Sequence, residues 1–357
     1  MAGGAEWVLI ADEEAVRMQY RTLGGTGTVV SAQCLGTMTF GKESDEQVAH
    51  AQLDRFVEAG GNFVDTADVY QRGVSEEMIG RWLAARPGVR DRLVIATKCR
   101  FPMGEGPNDI GLSRGYLTRA LNASLRRLQV DHVDLYQAHA WDPLTPIEET
   151  LAFLDDAVRA GKIRYAGVSN FVGWQLQKAA LLARFRGLAP IVSLQPQYNL
   201  LARDIEFELV DVCLGEKIGI LPWGPLGGGW LSGKYRRDTL PTGATRLGDD
   251  PERGMEAYGP RNARERTWQV IDAVRQVAEA RGVSMAQVAL SWVADRPAVT
   301  SVILGARTVE QLADNLGAAD LHLSEKESDL LTEVSTPVVA DYPYGASGVD
   351  QRARTLP

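Results

Sequence analysis

The chain has 357 residues, 45% of them hydrophobic and 24% charged, with 38 Lys and Arg against 46 Asp and Glu for a net charge of −8. That balance argues against a general binder of nucleic acid or anionic membrane, while leaving room for a local basic patch that holds a phosphate. The longest apolar runs fall short of a membrane span, the N-terminal stretch lacks the basic-then-apolar order of a secretory signal, and three scattered cysteines, Cys34, Cys99 and Cys213, fit reduced thiols in the cytoplasm.

Residues 1–18 carry no period and are expected to form an N-terminal extension. A short hairpin follows, Tyr20-Arg21-Thr22-Leu23 turning through Gly24 to Gly27 into Val29-Val30. Eight short apolar runs come next: Cys34 to Thr37, Asn62 to Asp65, Leu93 to Thr97, Val133 to Tyr136, Arg164 to Val168, Ile191 to Leu194, Gly219 to Pro222 and Val302 to Leu304. Helical patterns separate them, for instance Ser44 to Glu58 and Ser113 to Leu128, each with a Ser placed to cap its start. Others run from Ile147 to Ala160, Trp174 to Phe185 and Ala263 to Arg281. Strand-then-helix repeats mean a parallel strand set, and eight of them predict a single (β/α)8 TIM barrel, residues 19–336, with the hairpin plugging the bottom. A prior of about 150 residues per domain would divide the chain, but such barrels reach about 400 residues undivided. Residues 236–262 are polar and without period, so they read as a long loop of the functional or mobile kind. Residues 337–357 read as an irregular tail.

Active sites of this barrel lie at the C-terminal ends of the strands. The second run closes on Asp65, with Asp68 and Tyr70 just beyond, the third reaches Lys98 and the fourth runs on to His139. Singly, each of these has an ordinary structural role open to it. Together they form a device: Lys98 stabilises a phenolate and draws the Tyr70 pKa down from about 10, while Asp65 neutralises and positions Lys98. A phenol so tuned can protonate a carbonyl oxygen that is gaining charge, and His139 can hydrogen-bond the same oxygen. The four histidines, at 50, 132, 139 and 322, show no metal-ligand spacing, so no metal is expected.

These residues carry a resemblance. Asp65-Thr66-Ala67-Asp68-Val69-Tyr70 is similar to the Asp-Thr-Ala-x-x-Tyr signature of aldo-keto reductases, and the stretches Asp131 to His139 and Ala166 to Asn170 resemble that family's fourth- and fifth-strand motifs. The likeness spans Tyr20 to about Leu323. It implies a catalytic tetrad of Asp65, Tyr70, Lys98 and His139, with Tyr70 as general acid, and NADPH (NADP+) as the cofactor. On that reading Ser169, Asn170 and Gln195 hold the carboxamide, and Trp223 stacks on the nicotinamide. Gly224, Pro225, Leu226 and Gly228 lie by the pyrophosphate together with Lys234 and Arg246. Thr37, Met38 and Asp65 complete the near end. Gly305, Arg307, Gln311, Asp314 and Asn315 resemble the adenosine-end motif, where a helix start and an arginine suit a 2′-phosphate.

Substrate walls are expected from Phe40, Tyr70, Phe101, His139, Trp141 and Trp230, with Arg100 as a polar contact. Gly36 to Gly41 and Gln195 to Asn199 resemble the branch that holds potassium-channel β subunits and bacterial sugar or aldehyde reductases. The expected function is reduction of an aldehyde or ketone, a keto sugar or a small aromatic or aliphatic carbonyl, to an alcohol. The alternative is a cofactor-sensing regulatory subunit, although channel subunits typically carry Asn where this chain has His139. A hydrolase using the Asp65 and Asp68 carboxylates would leave Lys98, Trp223 and Arg307 without a role. A small-molecule carbonyl is the expected partner, with monomer and homo-oligomer both open.

Overall fold

The computed structural model describes residues 18–248 and 250–354; the expected N-terminal extension, apart from Met18, lies outside them. Strands β1 (Tyr20–Thr22) and β2 (Val29–Ser31) pair antiparallel, Arg21 facing Val30. Their turn needs a glycine: Gly24 has φ +54°, and a Cβ there would stand 2.3 Å from the Val192 carbonyl oxygen. Leu23 and Val30 are buried among Phe63, Ala96, Leu135 and Leu221, so the hairpin seals the barrel interior at the strands' N-terminal ends.

The barrel strands are β3 (Gln33–Gly36), β4 (Phe63–Asp65), β5 (Val94–Cys99), β6 (Val133–Ala138), β7 (Ile163–Ser169), β8 (Ile191–Gln195), β9 (Gly219–Ile220) and β10 (Val302–Leu304). All are parallel, in the order β10-β3-β4-β5-β6-β7-β8-β9. Amides of Thr300 and Ile303 donate to the carbonyls of Ile220 and Pro222, at 2.8 and 3.0 Å, and close the ring. Strands covered on both faces read as continuous apolar runs, which is why all eight stand out in the sequence.

The helices in the first half are α1 (Glu46–Glu58), α2 (Val74–Ala84), α3 (Arg114–Leu128), α4 (Ile147–Arg159), α5 (Gly173–Arg186) and α6 (Leu209–Glu216). The second half adds α7 (Tyr258–Asn262), α8 (Glu265–Arg281), α9 (Met285–Ala294), α10 (Val309–Leu316), α11 (Glu325–Val334) and α12 (Ala346–Arg352). Ser113 caps α3 as expected, its side chain accepting from the Tyr116 amide. Helix α1 is capped by Asp45 instead of Ser44; the Ser44 hydroxyl donates to the Arg307 carbonyl at 3.0 Å, tying the loop after β3 to the loop after β10. Among the described residues no helix is long and apolar enough to cross a membrane.

Two stretches expected to be irregular are partly ordered. Residues 236–262 contain α7 and fold over an aromatic cluster in which Trp230 stacks on Tyr258 and meets Tyr235 and Trp268 edge-on. Beyond residue 336 the tail forms α12, and Tyr344 pins it by stacking on Phe207 and donating to Glu208. In both cases long-range aromatic packing supplies an order that local sequence does not encode. Trp230 is fully buried, with its indole N–H donating to the Glu256 carbonyl at 2.9 Å. Trp230→Ala should therefore lower the free energy of unfolding by about 3–5 kcal/mol, visible as an earlier urea midpoint; a midpoint like that of the wild type would show that the cluster does not anchor the loop.

Candidate active site

Lys98, the fifth residue of β5, is fully buried inside the barrel. Its ammonium donates to Asp65 Oδ2 at 2.6 Å, to the Thr66 carbonyl at 2.7 Å and to the Tyr70 hydroxyl at 3.2 Å, which uses all three of its hydrogens. Asp65 ends β4, and its second oxygen accepts from Gln195 at 2.9 Å and Gln137 at 3.3 Å. Tyr70 opens a single 3-10 turn after that strand, where Gln71 and Arg72 adopt φ of 48° and 55°. His139 follows β6, held by its amide to the Cys99 carbonyl at 3.1 Å. The Tyr70 and His139 rings stand edge to face with centroids 6.0 Å apart. Three strand ends thus bring Asp65, Tyr70, Lys98 and His139 together.

The electrostatics differ from the expectation in one respect. Burial would lower the Lys98 ammonium, but Asp65 and Tyr70 outweigh it and hold the group above its usual value. At Tyr70 the balance runs the other way: burial raises the phenol, and the opposing pull of Lys98 does not cancel it. The phenol is therefore neutral and keeps its proton, where a pKa drawn below 10 was expected. Burial, then the charges of Lys98 and Arg100, push the His139 imidazole well below its ordinary value, so it too is neutral and acts as a hydrogen-bonding group.

A cavity of about 350 Å³ runs from Tyr70 and His139 to Arg307 and Asn315. Its walls include the expected Thr37, Met38, Asp65, Ser169, Asn170, Gln195, Trp223, Gly224, Pro225, Leu226, Gly228, Lys234, Arg246, Gly305, Arg307, Gln311 and Asn315. The Trp223 indole is fixed by its N–H to Asn170 Oδ1 at 3.0 Å. Asn170 in turn donates to the His139 carbonyl and to Ser169 Oγ. Gly227, Gly228 and Gly229 have φ of 56°, 67° and 103°; the amides of Gly227 and Gly229 are used inside this turn. Burial, followed by the charge of Arg307, lowers the Lys234 ammonium, while burial and Arg253 lower the Arg246 guanidinium.

Three expected contacts fall elsewhere. Asp314 turns away from the cavity and accepts from Ser284 and Gln287, bonding α10 to α9. Phe40 and Trp230 are fully buried core residues and cannot wall a substrate. Phe101 packs edge-on against His139 at 4.7 Å, and Trp141 packs against Phe171 and Trp174. Among the wall residues that the sequence reading missed are Thr245, Glu256 and Glu43, the last with its carboxylate 3.0 Å from Arg253 and 3.8 Å from Arg307. In sequence it sits in the charged run Lys42-Glu43-Ser44-Asp45, which looks like a solvated helix start.

The aldo/keto reductase family profile matches residues 33–336. The uncharacterized oxidoreductase YrpG of Bacillus subtilis (strain 168) is 37% identical over 89% of this chain and 96% of its own length. The aryl-alcohol dehydrogenase [NADP(+)] of Phanerodontia chrysosporium is 34% identical over 90% of this chain and 86% of its own. A probable voltage-gated potassium channel subunit beta of Arabidopsis thaliana is 36% identical over 85% and 92%.

Asp68 has no place in the cavity. It is fully buried, and neither carboxyl oxygen has a hydrogen-bond partner among the described residues. Burial and then Glu76 push its carboxyl up to about 8, against Arg127 and Lys98. A group raised in the folded state contributes stability below its unfolded pKa of about 4, and that contribution is lost as pH climbs through about 8. Asp68→Asn should therefore gain thermal stability relative to wild type as the pH goes from 5 to 9; a melting-temperature difference independent of pH would contradict this assignment.

Proposed function

The chain belongs to the aldo/keto reductase family, and from that premise we propose that it is an NADPH-dependent oxidoreductase that reduces an aldehyde or ketone to an alcohol. The observation that carries this reading is the buried Lys98 ammonium donating to the hydroxyl of a neutral Tyr70 at the floor of the cavity.

The residues present fit the cofactor. Gln195 already donates to Asp65, and among the described residues its amide oxygen accepts no hydrogen bond, so it can accept from a carboxamide. Trp223 offers an oriented flat face. At the far end Lys234, Arg246 and Arg307 converge, and Arg246 has neither a hydrogen bond nor an ion pair among the described residues. Cations gathered in a confined site suit phosphate groups. When bound, NADPH supplies the hydride.

The chain's own residues manage the proton. A carbonyl oxygen between Tyr70 and His139 receives two hydrogen bonds, one from the phenol and one from the neutral imidazole. As charge builds on that oxygen, Tyr70 gives up its proton, and Lys98 stabilises the phenolate left behind at a distance of 3.2 Å. Burial keeps the phenol protonated until then. Asp65 balances the Lys98 charge throughout, so the ammonium remains charged in a site without solvent. A cofactor-sensing subunit would have no need of this proton donor, and a hydrolase would need Asp68 in the cavity.

Tyr70→Phe should reduce kcat for carbonyl reduction by about 10²–10⁴-fold, with NADPH affinity, read from quenching of tryptophan fluorescence, unchanged. Near-normal turnover in that variant would remove Tyr70 from the role. Separately, Arg307→Ala should weaken NADPH binding by about tenfold or more and leave NADH binding nearly unaltered. Equal losses for both nucleotides would place the 2′-phosphate elsewhere, and a protein that binds neither would overturn the whole reading.

A further inference from the structure

The backbone of Arg100 leaves the barrel one residue after β5 and is fixed there, its carbonyl accepting from the Gly111 amide at 2.8 Å. Its guanidinium lies over the Phe101 ring, 5.4 Å from the centroid. That ring meets His139 edge-on at 4.7 Å. Guanidinium, phenyl ring and imidazole are therefore in successive contact, and the last of them, His139, lies on the cavity wall.

Among the described residues the Arg100 side chain makes no hydrogen bond and no ion pair, and its Nε is buried without an acceptor. The neighbouring carboxylate, Asp142, is otherwise engaged: one oxygen accepts from the Leu112 amide at 2.8 Å and the Thr145 hydroxyl at 2.6 Å, the other from the Leu144 amide at 3.0 Å. Three other partly buried arginines are paired, in Arg90–Asp134, Arg127–Glu76 and Arg253–Glu43. A planar guanidinium presents a fork of donors that matches the two oxygens of a carboxylate.

We propose that Arg100 is a specificity-determining residue that receives the carboxylate of an anionic aldehyde or ketone whose carbonyl oxygen lies between Tyr70 and His139. This deepens the reductase reading and rests on it for the position of the carbonyl. The phenyl ring of Phe101 separates guanidinium from imidazole, so the substrate's two polar groups lie one aromatic ring or a few methylenes apart.

The test compares 4-carboxybenzaldehyde with benzaldehyde at saturating NADPH in wild type, Arg100→Gln and Arg100→Lys. Wild type should show a KM about tenfold lower for the carboxylated aldehyde. Arg100→Gln should raise that KM about tenfold or more while benzaldehyde stays within about twofold, and Arg100→Lys should recover part of the loss. The same contrast should hold at equilibrium in the NADP+-loaded protein, with 4-(hydroxymethyl)benzoate binding more tightly than benzyl alcohol only while Arg100 is present. Equal wild-type KM values, or losses in Arg100→Gln that are the same for both aldehydes, would overturn the proposal while leaving the reductase reading intact. Absence of turnover on either aldehyde, with the binding contrast preserved, would count against the reductase reading and for Arg100.

Discussion

Lys98 carries a positive charge at a place that water does not reach. An ammonium in that position costs several kcal/mol unless every hydrogen finds an acceptor, and the chain supplies three from three different positions along the loop and strand end: the Asp65 carboxylate, the Thr66 carbonyl and the Tyr70 hydroxyl. Asp65 then needs donors of its own and finds them in Gln137 on β6 and Gln195 on β8. One buried charge thereby links β4, β5, β6 and β8 at their C-terminal ends. The geometry of the cavity mouth follows from this network: Tyr70 can depart little from its place without stranding an ammonium hydrogen, and its 3-10 turn tolerates positive φ at Gln71 and Arg72 to keep it there.

Burial and charge compete at each titratable group around that centre, and they are resolved differently. At Lys98 the carboxylate and phenol prevail over burial. At Tyr70 burial prevails over the ammonium. At His139 burial acts in the same direction as two cations, and the ring is neutral. At Asp68 burial and Glu76 together leave a carboxyl with about 8 as its pKa. The result is one ion pair surrounded by neutral groups that hold hydrogens, an arrangement suited to giving a proton away only when an oxygen nearby acquires charge.

Much of this was legible from the sequence because it depends on short-range pattern. Apolar runs such as Leu93 to Thr97 are continuous because barrel strands are covered on both faces, and polar residues that end them must face the rim, which located Asp65, Lys98 and His139. What could not be read depends on contacts between distant segments. Phe40 and Trp230 look like any loop aromatic until the chain folds them into the core. Ser44 is as good a cap as Asp45 until its hydroxyl is claimed by the Arg307 carbonyl. Asp314 lies two turns along a helix that fits the adenosine-end pattern, yet α9 packs close enough to take its carboxylate. The sign of the Tyr70 shift belongs to the same class, since the Lys98 contribution can be named from sequence but the extent of burial cannot.

The charge layout of the cavity is a further consequence of folding that composition conceals. A chain with a net charge of −8 gathers Lys234, Arg246 and Arg307 on one wall, with Arg253 reaching across to Glu43. The segment between residues 236 and 262 is held on its inner side by the packed rings of Trp230, Tyr258 and Trp268, an interaction that ligand binding has no cause to disturb. On its outer side the partly buried Arg253–Glu43 pair links it to the loop after β3. Glu43 thus sets one carboxylate among the cations of this wall, 3.0 Å from Arg253 and 3.8 Å from Arg307, and partly offsets the positive charge that folding gathers there.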